Sequence, residues 1–357
     1  GALQDGKFII EKTPKGLRRY LSSFASRAFR RPLEEGQIDP YFALAKQQWD
    51  SGKYFSEALK AGNRAILCSP RFLSFVEPVG ELDDFALASR LSFLLWSSIP
   101  DSELTSVAIR GQLKNPKILA AQGERLLADP KSDRFFKHFT DQWLNLKQID
   151  YTTPDPRRFR TFDTVVQESM VAETRSFVEV LVRRNLSARN LVDSEFGMLN
   201  TRLKEHYGIR DAKVEPGGGI QKVSLPEGAR SGLVTQCSVL KVTADGSVTS
   251  PILRGVWVNE RILGLKTPPP PPNIPAVEPD IRGAVDIRDQ LAKHSSDQSC
   301  AACHAKIDPA GFALESYDPV GRWRGAYGTQ KNAAKVDPSG VTPDGVPFAG
   351  IQGWKKI

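Results

Sequence analysis

Apolar residues in the first half of the chain recur every three to four positions. In "GLRRYLSSFASRAFRR" (16–31), Leu17, Leu21, Phe24, Ala28 and Phe29 share one helical face, and the arginines lie elsewhere. Pro32 follows as a stop. The same period predicts helices over about 34–50, 54–67, 81–97, 117–128 and 131–147, and a longer one from Thr164 to Arg184. "SPRF" (69–72) and "SSIPDSEL" (97–104) read as breakers, with Asp101 a helix N-cap. The pairs Asp83-Asp84 and Glu34-Glu35 fall near helix starts, where carboxylates favour the helix dipole. Phe135, Phe136, Phe139 and Trp143 recur at helical spacing and read as core, with His138 on the polar face.

After about residue 186 the pattern changes. The stretch 214–251 is rich in Gly, Ser, Thr and Val and alternates apolar with polar around Ala244-Asp245-Gly246, which predicts short strands or extended loops. "ILRGVWVNERILG" (252–264) returns to helix. The prolines at 268–272 and Pro275 require an extended polyproline stretch. One more helix is predicted from near Asp286 to near His294. The fold class is therefore mainly α, in five segments. These are a helical domain (1–185), a mixed helix and short-strand segment (186–267), a proline-rich linker or strap (268–283), a small segment around a Cys-Ala-Ala-Cys-His run (284–328), and the start of a further domain that breaks off (329–357). The first residues lack an initiator Met, so the chain is expected to be processed or truncated upstream.

Composition narrows the function classes. With 357 residues and 40% apolar content, the chain can bury a real core, yet apolar runs such as Leu91–Trp96 are far too short to span a membrane. The formal charge is +8, but Lys and Arg are scattered in short clusters such as Arg18-Arg19 and Arg157-Arg158, with no nucleic-acid motif beside them. They read as solvated helix faces, suited to docking an acidic redox protein rather than a nucleic acid.

The chemistry concentrates in "DQSCAACHAKIDPAGFALE" (297–315), which spends two of four cysteines and one of four histidines within five residues. Cys300-Ala301-Ala302-Cys303-His304 has the spacing of covalent haem attachment. Two thiols reach one porphyrin edge, and the adjacent imidazole ligates the iron. A zinc site would need a second ligand pair, and Cys68 and Cys237 are isolated. A thioredoxin-type centre needs a strand before and a long helix after, and Pro309 and Gly311 are expected to break such a helix early. The reading is one covalent haem c, bound by the segment 284–328. A backbone carbonyl near Pro309 would accept the second ring proton of His304. Arg322 and Arg324 in "GRWR" are either propionate partners or ordinary surface arginines.

A wider set of segments occurs in order: "RAFRRPL" (27–33), "SPRFL" (69–73), "ASRLSFLLWSSIPD" (88–101), "QWLNL" (142–146), "LNTRLKEHYGI" (199–209), "RSGLVTQCSVLKVT" (230–243), "TSPILRGVWVNERILG" (249–264) and "CAACHAKIDPAGFALESYDPVGRWR" (300–324). In these the chain resembles the large planctomycete-type cytochrome c proteins across nearly its whole length. The departures are Cys237, where the family tends to have a small residue, and "GMLN" (197–200), where it tends to have Thr-Phe-Leu-Asn. Cys68 and Cys237 are either free thiols or a disulfide. The resemblance implies an exported, periplasmic or otherwise extracytoplasmic, haem protein.

No Met follows Met198, so a sixth iron ligand must come from upstream, from another chain, or be absent. His206, at the end of a short helix, ranks first, then His294, then Met198, with His138 and Met170 behind. Three functions stay open: electron transfer with a redox partner protein, a haem peroxidase or oxidase with an open distal site, and a scaffold subunit of a larger complex with other cytochromes.

Overall fold

Capping side chains and prolines set where the helices of this chain begin. The computed structural model describes residues 2–4, 7–77, 79–226, 228, 230–267, 287–294, 298–328, 331 and 333–357, with backbone alone at 2–4, 7–9, 290, 292–294 and 298–300. The polyproline stretch falls outside the described residues. The chain divides into two compact units, 1–135 and 136–357.

The first unit opens with the hairpin β1 (Ala2–Gln4) and β2 (Lys7–Ile9). Helix α1 (Pro14–Ala28) starts where Thr13 Oγ1 accepts from the Gly16 amide at 3.0 Å, with Pro14 in the first turn. It ends near Arg30, at φ 61°, before Pro32. Leu17, Leu21 and Ala25 pack against α2 (Asp39–Asp50) and α3 (Phe55–Leu67). The expected breaker at 69–72 is instead a single helical turn, α4 (Pro70–Leu73), capped by Ser69. A second core joins α5 (Asp84–Trp96), α6 (Ser102–Ile109) and α7 (Pro116–Ala128) around Leu95, Leu104 and Leu126. Asp101 does cap, accepting from the Leu104 amide at 2.8 Å, and α6 begins directly after it at Ser102. Asp83 caps α5 in the same way.

Helix α8 (Asp133–Trp143) carries the division between the units. The second unit is built around α9 (Thr164–Arg183), so the helical stretch 1–185 is shared between the two units. β3 (Phe196–Leu199) and β4 (Gln221–Ser224) pair antiparallel with Gly197 opposite Val223, and α10 (Thr201–Tyr207) lies between them in sequence. The stretch expected as strands holds α11 (Cys237–Val242) instead. Cys237 through Lys241 are all buried. With no solvent face, apolar alternation there cannot distinguish strand from helix. β4 and the Ala244–Thr249 bridge around Asp245-Gly246 keep the expected extended pairing.

Helix α12 (Pro251–Arg261) is followed by α13 (Ile287–His294), as predicted from 286, and then by α14 (Gln298–Ala313). The expectation that Pro309 and Gly311 end the helix early is overturned. α14 runs through both, and Pro309 forgoes only one backbone donor, toward the Ala305 carbonyl. The hairpin β5 (Ser339–Val341) and β6 (Pro347–Ala349) and the short α15 (Gly350–Trp354) then return to α14. Phe177, Leu240, Trp257, Leu314, Phe348 and Ile351 belong to one buried core. The architecture is mainly α. No helix among the described residues is long and apolar enough to cross a membrane.

Candidate functional site

Cys300, Cys303 and His304 occupy one helix, α14, at relative positions i, i+3 and i+4. That spacing places them on one side of it. The Cys303 side chain is half-buried and a free thiol, and His304 is buried. The Cys300 side chain lies outside the described residues. α14 follows α13 rather than a strand, which removes the thioredoxin arrangement even though the helix after the motif is long.

One turn beyond His304, Asp308 receives its ring. Nδ1 is 3.0 Å from both carboxylate oxygens. The expected acceptor, a carbonyl near Pro309, is therefore replaced by a side chain. Because α14 continues through Pro309, position i+4 returns to the face of His304, and the Pro309 carbonyl stays within the helix.

A cavity of about 820 Å³ opens beside this pair. One wall is the α14 stripe Ala301, His304, Asp308 and Phe312. The facing wall is the β5–β6 hairpin with Pro347 and Phe348. Pro309 also lines the cavity. Arg288 of α13 borders it, with its guanidinium 4.0 Å from the Phe312 ring centre and an ion pair to Asp337 at 3.3 Å. The volume is in the upper part of the range for small-molecule and cofactor sites.

Of the other predicted residues whose side chains are described, none lines this cavity. His206 is buried, with Nε2 2.8 Å from the carbonyl oxygen of Val320 and Nδ1 buried without a partner. Burial holds its pKa below the ordinary histidine value, so the neutral ring donates from Nε2 to that carbonyl. It ties α10 to the turn after α14. Met198 lies in β3 within the core, and Met170 is fully buried on α9. His138 is exposed on α8, and the side chain of His294 is outside the described residues.

Arg322 and Arg324 pair with carboxylates of their own segment. Arg322 pairs with Asp318 at 3.1 Å. Arg324 reaches the buried Glu315 at 2.9 Å and Thr249 Oγ1 at 2.7 Å. Glu315 also faces Arg254, at 3.4 Å, with both side chains fully buried. Arg254 donates to the carbonyls of Leu314 and Tyr317 at 2.8 Å each, closing the end of α14. These arginines are spent on the frame behind the helix.

Sequence reading missed Asp308, Arg288 and Phe348. Asp308 was open to discovery, since "CHAKID" places a carboxylate four residues after the histidine once a helix is assumed. It also missed a buried cluster in which Tyr207 donates to Glu173 and the Arg230 guanidinium stacks 3.7 Å from the centre of the Tyr207 ring.

Three family models match in succession: PSD5, a protein of unknown function (DUF1595), over 16–77; PSD4, a protein of unknown function (DUF1592), over 82–209; and PSCyt3, a protein of unknown function (DUF1588), over 230–327. The chain belongs to the planctomycete cytochrome c-type family. Its PSCyt3 segment contains α14 and the Cys-Ala-Ala-Cys-His run, whereas the β5–β6 hairpin facing His304 lies beyond the matched range. No curated protein and no solved structure matches the chain.

Proposed function

We propose that this chain is a c-type haem protein that transfers single electrons, with one haem held by Cys300 and Cys303 and its iron bound by His304. The observation that carries the reading is the cavity of about 820 Å³ opening on His304, whose Nδ1 is engaged by Asp308. The residues fit such a group on two counts. The lining is largely apolar, with Pro309, Phe312, Pro347 and Phe348. The ring nitrogen facing Asp308 is occupied, which supports Nε2 as the nitrogen offered to iron.

When bound, the haem supplies a one-electron ferric/ferrous couple. The two thiols would hold it as thioethers. Phe312 and Phe348 would help exclude water from the site, and α12 would hold the backbone of α14 still behind the ligand. The net charge of +8 supports docking to an acidic redox partner. Attachment of this kind belongs with export, so the working compartment is extracytoplasmic.

The test is the chain matured in an exporting host with a haem-ligation system. Pigment should stay with the polypeptide on a denaturing gel and through acid–acetone extraction, and the pyridine haemochrome should count one haem per chain. Cys300→Ala with Cys303→Ala should lose it. A wild-type chain that surrenders its pigment to acid acetone ends the reading.

A further inference from the structure

We infer that Asp308 is the positioning residue that sets the reduction potential of this site, lowering it by holding His304 with a carboxylate rather than a neutral acceptor. The inference rests on the haem reading and goes further, assigning a residue and a direction of tuning.

The geometry is rigid. His304 and Asp308 are both largely shielded, with side-chain exposures of 11% and 13%. Both carboxylate oxygens sit at 3.0 Å from Nδ1. The backbone between and beyond them is clamped to α12. Asn259 Nδ2 donates to the Lys306 carbonyl at 3.0 Å, and Gly255 lies against the carbonyl of Ile307. One turn on, Gly311 lies against the carbonyl of Pro251. The helix backbone that carries both partners is thereby fixed.

A carboxylate can only accept from Nδ1, so that nitrogen keeps its hydrogen and Nε2 keeps its lone pair. A hydrogen bond to an ionised acceptor is about twice as strong as one to a neutral acceptor. It draws the Nδ1 hydrogen toward the carboxylate and makes the ring a stronger electron donor. Ferric iron gains more from that donor than ferrous iron does, so one-electron reduction becomes harder. The step adds one electron, from the titrating reductant, and neither ring nor carboxylate gains or loses a proton.

The experiment compares the matured wild type with Asp308→Asn, Asp308→Ser and Asp308→Glu by spectroelectrochemical titration. Covalent haem content is read separately on denaturing gels. Both neutral replacements should raise the ferrous-to-ferric ratio about tenfold at fixed ambient potential, a shift of about 59 mV for one electron. Asp308→Glu, which keeps the charge, should stay within about twofold of wild type. Equal potentials for wild type and the neutral variants, with haem still covalently held, overturn the inference and leave the haem reading intact. So does a shift in Asp308→Glu as large as in the neutral variants. Pigment lost from the wild type overturns both.

Discussion

Gly255 of α12 and Gly311 of α14 each receive the backbone of the other helix. A methyl group built on Gly255 would lie 2.1 Å from the carbonyl oxygen of Ile307. One on Gly311 would lie 1.9 Å from that of Pro251. The two helices therefore cross at backbone distance, and the helix carrying His304 is held from behind by main chain rather than by adjustable side chains. Gly255→Ala and Gly311→Ala should each lower the stability of the second unit by about 1–3 kcal/mol through overpacking. Urea midpoints should fall accordingly. Unchanged midpoints would mean that the helices can part at little cost.

The buried network at the end of α14 should be intolerant of losing one partner. Glu315 accepts from Arg324 and from Thr249 Oγ1, each at 2.9 Å, and faces the fully buried Arg254. Burial pushes the Arg254 guanidinium down to about 10, still charged at neutral pH. Glu315→Ala would leave that cation buried without its counter-charge and should cost about 3–5 kcal/mol. Arg254→Met combined with Glu315→Leu should recover part of the loss in the same denaturation assay, because the fully buried cation goes with its counter-charge and only Arg324, whose side chain is 15% exposed, loses a partner.

Glu173 should make stability fall as pH rises. It is buried on α9 with Tyr207 donating to it, and burial raises its pKa from 4.5 to about 8. Below about pH 4.5 the group is protonated in both folded and unfolded chains and contributes no difference. Between about 4.5 and 8 the unfolded chain has released the proton and the folded one has not. Stability then declines by about 1.4 kcal/mol per pH unit, until the folded group also ionises. Glu173→Gln should remove this slope. Denaturation midpoints at pH 5, 6.5 and 8 should converge for the variant relative to wild type, and parallel profiles would contradict the assignment.

Thiol reactivity should separate the two cysteines outside the motif. Cys68 is exposed, whereas Cys237 is fully buried and its thiol is pushed up to about 12 by burial. In a chain carrying Cys300→Ser and Cys303→Ser, a disulfide-exchange reagent at neutral pH should titrate one thiol in the native state and two in denaturant. Two fast thiols in the native chain would place Cys237 at the surface. The position of Cys237 also explains Gly321. With φ 77°, it packs so closely that a methyl group there would lie 2.8 Å from the Cys237 Cα.

Local chemistry was open to reading from residues alone. Helical periodicity, the Asp101 cap, the helix over 287–294 and the clustering of Cys300, Cys303 and His304 are short-range properties, set by side-chain spacing within one or two turns. What surrounds those residues was decided elsewhere. α14 continues through Pro309 because α12 packs along it and carries the energy that one missing backbone bond would otherwise remove. α11 was not legible as a helix because Cys237 through Lys241 are all buried, a fact about its neighbours rather than its own pattern.

Arg322 and Arg324, read either as propionate partners or as surface arginines, pair with Asp318 and Glu315. His206, first choice as a distal ligand, is held by the Val320 carbonyl. The wall facing His304 comes from a hairpin more than thirty residues further along the chain. Periodicity reports that a face will be covered. Only the packing of distant segments determines what covers it, because burial energy depends on apolar area removed from water and not on which residues remove it.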